Sequence, residues 1–522
     1  MATKKLKPKR EHCYFKAFLL SLLTALIMIL PKIILNGGVF YDYSCLLNWL
    51  PLPVSFAQYI PYLAGPILML RFALGGLFSY CYMRRFVKNQ NAAVIGSLAY
   101  TFSGFALCNM NFAYFDSIML FPLLLLGLEA LVTDKTRGLL AVATFICAIA
   151  NPFVFVAMAI FLVIYFIIRA LSADWQLNTS AFFSTLLEFV LGVVMAGALL
   201  LPMILNITAN MKFINGWELL AYNNGQNYLS ILFGGFLTPE FGLAPSNFPL
   251  SSEPSTWLTL ISVTGVAGVF ISFKKHWLKR ILVLCLVFAL VPVLNSTFSL
   301  FSANYSAHWY FMPVLMMSLC SAVAFDRHAE IEWRPAYRIT FLLTVIPLMS
   351  IGLLPAYENG SWHIGLYDTT SPTSRLGFWV NVAIAVLCLV IMGILLRFAK
   401  TRGKLFLKMT LISMVLICMV LGAYDVICHT APTVTVSPYD YLAQYQQELM
   451  LYLLIGAGAL LLLILYVCLC KGYIHRGGGK DTATYGAAAV IPANNDEIPK
   501  DDDLSEFLSN IGDAPENSLF DK

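Results

Sequence analysis

About fourteen apolar runs, most of them close to twenty residues long, follow one another between residues 14 and 470, and no other feature limits the fold as strongly. A helix rising 1.5 Å per residue needs about 20 apolar residues to cross a hydrocarbon core of roughly 30 Å. Inside that core the backbone finds no water, so a chain crossing it repeatedly must be helical or form a closed barrel. Long continuous runs without two-residue alternation select helices. They lie at 14–35, 62–83, 91–110, 117–133, 138–150, 153–171, 182–206, 256–273, 280–298, 308–325, 340–356, 376–397, 407–428 and 449–470. The fifth and sixth are short and meet at Asn151-Pro152, consistent with a hairpin that dips only part way across. The expected fold is an all-α polytopic membrane protein of about fourteen transmembrane helices.

Composition supports this reading. Of 522 residues, 59% are hydrophobic and only 12% charged, against about 25% charged in an ordinary soluble domain. So little charge excludes a typical cytosolic enzyme, a disordered chain and a nucleic-acid-binding domain. Most of the twelve Cys lie in apolar runs and none forms a CxxC pair, which argues against a disulfide framework or a structural zinc site.

The Lys and Arg residues fix the expected orientation. With the N-terminus in the cytoplasm and the spans alternating, Arg84, Arg85, Lys88, Lys135, Arg137, Arg169, Lys274, Lys275, Lys279, Arg280, Arg327, Arg334, Arg338, Arg397, Lys400 and Arg402 all fall on the inner side. The outer loops keep only Lys32, Lys212 and Arg375. This is the positive-inside asymmetry, and it places both termini in the cytoplasm. Three regions follow: a basic tail over 1–13, a transmembrane bundle over 14–470 whose longest outer loop is 207–255, and an acidic, aromatic-poor tail over 471–522, expected to be disordered.

Ionisable groups within spans are costly and therefore mark candidate sites. Arg71 lies mid-run, too deep to snorkel easily, and its forked, permanent charge suits a phosphate held at membrane depth. Asp42 and Asp116 sit at outer span ends, where a carboxylate can act as general base or ligand; Asp116 could equally cap the helix that follows. Asn109, Asn111 and Tyr114 neighbour Asp116 in sequence. Glu129 and Glu188 lie towards inner ends, and both carboxylates are read as reaching cytoplasmic water. Tyr305, His308, Trp309 and Tyr310 form a pre-span stretch expected to make an interfacial aromatic belt, with His308 available to an acid or phosphate. HExxH, Walker A and GxSxG motifs are absent from the sequence.

Several passages together resemble the YfhO-type bacterial membrane proteins of the GT-C glycosyltransferase class: "PYLAGPILMLRFALGGLFSYCYMRRFVKNQNAAVIGSLAYTFSGF" (61–105), "FPLLLLGLEAL" (121–131), "NPFVFVAMAIFLVIYFIIR" (151–169), "KKHWLKRILVLCLVFALVPVLNSTF" (274–298) and "SAHWYFMPVLMMSL" (306–319). The resemblance covers residues 14–428 and implies a GT-C-like bundle in a bacterial cell membrane. Arg71 matches the family's mid-span basic position, where Lys is expected, and Asp116 matches the acid before "FPLLL". Asn151 matches the polar position opening "NPF", and Glu188 the seventh-span glutamate. Three features depart from the pattern. The first outer loop is short and holds Asp42 without a Gly-Asp pair, residues 429–448 replace a large outer domain, and His308 stands where Arg is expected.

The resemblance implies an inverting glycosyltransferase that moves a sugar from a polyprenyl-phosphate carrier to a cell-envelope polymer such as lipoteichoic acid at the outer leaflet. In that reading Asp42 or Asp116 is the base and Arg71 and His308 hold the donor phosphate, with Asn111, Asn151, Glu188, Tyr305 and Trp309 in support. No cofactor is firmly implied. Some members of the class use a divalent metal, for which the sequence shows no two-acid cluster. The alternatives are a flippase or transporter of lipid-linked saccharides and a shortened, non-catalytic member of the family.

Overall fold

The computed structural model describes residues 14–35, 60–110, 114–172, 175, 178–197, 200, 205, 220–222, 226–236, 256–358, 361–365 and 372–429. The chain divides into two compact units, 1–444 and 445–522, and every described residue belongs to the first. The expected last span (449–470) and both tails lie outside the described residues.

Helices dominate the described residues. In chain order they are α1 (Tyr14–Leu35), α2 (Ile60–Met83), α3 (Gln90–Thr101), α4 (Gly104–Cys108) and α5 (Phe115–Glu129), which continues as a π-helical turn (Ala130–Asp134). Next come α6 (Leu139–Ala150), α7 (Pro152–Ala170), α8 (Thr179–Met195), α9 (Gln226–Phe233), α10 (Leu260–Ser272), α11 (Trp277–Leu290), α12 (Pro292–Thr297), α13 (Phe311–Asp326) and α14 (Trp333–Leu353). After a short hairpin, α15 (Pro372–Leu395) and α16 (Gly403–His429) complete the described bundle. Eight helical segments among the described residues are long and apolar enough to cross a membrane. The runs at 138–150, 182–206, 256–273 and 308–325 carry shorter apolar helices, α6, α8, α10 and α13. With 12 residues α6 rises about 18 Å, too little to span, whereas α7 is one of the eight.

Local chemistry sets the helix ends. Asn151 Oδ1 caps α7 by accepting from Val154 N at 3.1 Å, and Pro152 occupies the first turn, where its missing N–H costs nothing. Asn89 caps α3, and the Asp326 carboxylate accepts from Lys88 N and Asn89 N at 3.0 and 2.6 Å, placing an anion at that positive helix end. Beyond α5 the chain turns through Lys135 (φ 57°) and Gly138 (φ 90°), left-handed conformations that end the helix.

α3 and α13 form the centre. They pack on each other, and α3 also meets α2 and α16. Nearly every residue of both is buried, as expected of helices apolar on all sides. Gly96 allows the close approach: a Cβ there would lie 2.7 Å from Ala322 Cβ and 3.0 Å from the Ser318 carbonyl. The outward faces of α1, α7, α8 and α14 expose Phe15, Ile34, Val163, Leu187, Val194 and Ile346, an apolar exterior suited to lipid.

The basic loops gather at one end of the bundle. There Arg85 pairs with Asp134 at 2.7 Å, Glu188 reaches Gly138 N, Glu332 N donates to Ser272, and His328 meets the Ala399 carbonyl. At the opposite end a feature absent from the sequence reading follows α14: an antiparallel hairpin of β1 (Pro355–Glu358) and β2 (Ser361–Ile364), with Pro355 opposite Ile364 and Glu358 opposite Ser361. The intervening dipeptide is Asn359-Gly360, the pair favoured in two-residue hairpin turns.

Candidate functional site

Arg71 is the twelfth residue of α2, about 16 Å from the helix start at 1.5 Å per residue. Its guanidinium forks onto Asp116, with Nε 2.9 Å from Oδ1 and Nη2 donating to Oδ2 at 3.0 Å. Asp116 lies in the first turn of α5. The reach of an arginine side chain is much shorter than 16 Å, so α5 begins well below the start of α2. Asp116 is therefore not the helix cap: the N-cap is Tyr114, without a side-chain cap bond, and the carboxylate is spent on Arg71. The side chains keep 15% and 22% of their exposure, so the pair is neither sealed nor free.

Around this turn stand the other polar groups. Tyr114 OH donates to Asn109 Oδ1, and Asn109 Nδ2 donates to the Phe105 carbonyl at 2.7 Å, tying the turn back to α4. The His308 ring meets Tyr114 edge-on, with centroids 5.1 Å apart. The fold thus joins Arg71 to Asp116 and sets His308 against Tyr114, so three separate stretches meet at the start of α5. Tyr114 and Asn109 complete it; the sequence offered their proximity to Asp116 and no sign of the bond between them. Asp42 and Asn111 lie outside the described residues.

The supporting residues are distributed differently. Asn151 serves as the α7 cap. Glu188, expected to reach cytoplasmic water, is instead buried at the basic end, where its Oε1 accepts from Gly138 N at 2.8 Å and so caps α6 from the side. Tyr305 stands edge-on to Tyr222 (5.2 Å) and neighbours Tyr310, while Trp309 stacks on Phe298 at 4.1 Å. Trp309 and Tyr310 are buried, which corrects the expectation of an interfacial aromatic belt: their rings pack inward and anchor the segment that carries His308. Burial likewise pushes the Tyr222 phenol above its usual range.

A further correction concerns Glu129, expected to reach cytoplasmic water. It is sealed in. Arg169 Nε and Nη2 donate to its two oxygens at 2.7 and 3.2 Å, and Tyr165 OH donates at 2.6 Å after receiving the Tyr82 hydroxyl at 3.0 Å. The guanidinium also lies over Trp277, Phe86 and Trp175, at 4.7, 5.3 and 5.6 Å from the ring centroids. Arg169, read only as an inner-side charge at the end of its run, is part of this core. The signal available was two opposite charges close to the same end of neighbouring spans. Among the described residues no three His, Cys, Asp or Glu come together in a way that could hold a metal ion.

A family model described as bacterial membrane protein YfhO matches residues 17–455. Among solved structures, the crystal structure of ArnT from Cupriavidus metallidurans bound to undecaprenyl phosphate is similar over 79% of this chain and 77% of that one, with 13% identity and a TM-score of 0.42. A likeness of that size settles neither fold nor ligand. No curated protein matches the chain.

Proposed function

The chain belongs to the YfhO family of bacterial membrane proteins, and we propose that it transfers a sugar from a polyprenyl-phosphate carrier to an acceptor hydroxyl at the outer leaflet. The observation that carries this reading is the half-open Arg71–Asp116 fork, a cation and a carboxylate set together midway along a membrane-spanning helix. An intramembrane arginine is expensive to keep, and a lipid-linked phosphate is the ligand whose charge sits at that depth while its tail remains in the bilayer. The positive-inside rule puts the basic end in the cytoplasm, so the start of α5 lies on the exterior side.

In this account Arg71 and His308 hold the donor phosphate. The acceptor hydroxyl attacks the sugar's anomeric carbon, the bond to phosphate oxygen breaks, and Arg71 steadies the charge that develops on the leaving group. A carboxylate at the same end takes the acceptor's proton. Asp116 is the described candidate and Asp42 the other. Lipoteichoic acid is the acceptor we favour, from the family resemblance.

The test is transfer by purified protein in nanodiscs supplied with an undecaprenyl-phosphate-linked sugar and lipoteichoic acid. Release of undecaprenyl phosphate with glycosylated acceptor is the expected result. No release, with labelled lipid-linked sugar instead crossing the bilayer of proteoliposomes, would replace transfer by transport. No release and no movement would leave a non-catalytic member.

A further inference from the structure

We infer that the donor's phosphate takes Arg71 over from Asp116, and that the carboxylate so released is the group that receives the acceptor's proton. The inference rests on the reading of Arg71 as the phosphate grip and adds to it an order of events: the base becomes available only when the donor is in place.

The geometry makes the exchange feasible. Arg71 and Asp116 make no other hydrogen bond or ion pair among the described residues. Two of the five guanidinium N–H groups are engaged, leaving three to meet an incoming anion. The donor's phosphodiester presents two charged oxygens, as a carboxylate does, and fits the same planar fork. The released carboxylate is not stranded, because it sits in the first turn of α5, where the positive helix end favours an anion. Nothing comparable is open to Glu129, whose partner is enclosed by three aromatic rings and whose oxygen also takes the Tyr165 hydroxyl.

The step balances. The acceptor O–H gives its proton to an Asp116 carboxylate oxygen, and its oxygen forms the new bond to the anomeric carbon. The bond from that carbon to the phosphate oxygen breaks, and the electron pair stays on phosphate. A phosphodiester monoanion becomes a phosphate monoester dianion while Asp116 becomes neutral, so the total charge of the site is unchanged. Arg71 then holds the more highly charged product, an interaction that strengthens along the reaction.

The experiment measures the affinity of the full-length protein in nanodiscs for undecaprenyl phosphate, in wild type and in Asp116→Asn. If Asp116 competes for Arg71, removing its charge tightens binding by about tenfold. Equal or weaker binding by Asp116→Asn overturns the exchange and makes Asp116 a positioning residue for Arg71. Should that variant fail to fold, wild type alone decides: carbodiimide modification of Asp116, read by peptide mass spectrometry, rises when undecaprenyl phosphate is added. Unchanged or reduced modification contradicts the inference. Wild type that does not bind undecaprenyl phosphate overturns the phosphate-grip reading itself, and the exchange with it.

Discussion

Two arginine–carboxylate pairs lie at opposite ends of α5, Arg71–Asp116 at its start and Arg169–Glu129 at its finish, and everything around them differs. At the basic end, Glu129 and Arg169 retain 2% and 3% of their side-chain exposure and are joined by Tyr165, Tyr82 and three aromatic faces. Asp116 and Arg71 retain 22% and 15% and have only each other among the described residues. Both pairs are bidentate, so geometry alone does not distinguish a structural pair from a working one. What distinguishes them is whether either partner could let go. A guanidinium packed under three rings has nowhere to go, and its separation would leave two desolvated charges. A fork at a half-open turn can trade one anion for another.

The contrast is broken most severely at the sealed pair. Glu129→Ala should cost about 3–5 kcal/mol, because it leaves the Arg169 charge buried and unpaired. The yield of folded, monodisperse protein in detergent should collapse; near-normal yield and melting temperature would show that the core tolerates an open charge. Arg71→Gln should act oppositely, leaving the fold in place while lowering transfer by about 10²–10³-fold, the usual cost of losing a donor to developing negative charge. A loss of folded protein equal to that of Glu129→Ala would erase the distinction between the two ends.

Finer effects sharpen the comparison. Tyr165→Phe deletes one hydroxyl of the sealed network and should lower stability by about 1–3 kcal/mol, since it breaks a hydrogen bond to a charged group. Thermal unfolding in detergent measures it, and no change would mean that the hydroxyl adds nothing to the pair. At the bottom of the scale stands Arg327–Glu330, on the surface between α13 and α14. Hydrogen bonding from the guanidinium holds Glu330 below the usual carboxylate range. Such a contribution exists above the unfolded carboxylate value and disappears as pH falls through the lower folded one. In full water it is screened, so Glu330→Gln should leave the melting temperature unchanged at neutral pH. A measurable drop would mean that exposed pairs count for more here than the comparison allows.

The bundle was legible because length and hydropathy decide it. The run read at 14–35 is α1 over the same residues, and the basic loops do meet at one end. Pairing was not legible. Arg169 lies forty positions beyond Glu129, and nothing in either flank shows that two helices will close over them. Nor does the sequence reveal that α5 starts low enough for Asp116 to meet Arg71 instead of capping its own helix. The Trp309 and Tyr310 pair reads as an interfacial belt by composition, yet tertiary packing against Phe298 and its neighbours draws it inward. The hairpin at 355–364 is too short to stand out beside twenty-residue apolar runs, although the sequence carries Asn359-Gly360 between its strands.

The central claim is that Arg71 holds a lipid-borne phosphate, and titration of undecaprenyl phosphate into wild-type and Arg71→Gln protein in nanodiscs tests it most directly. The account predicts saturable binding by wild type and a loss of at least about tenfold in affinity on removing the guanidinium charge. Equal affinity in two well-folded proteins would contradict it.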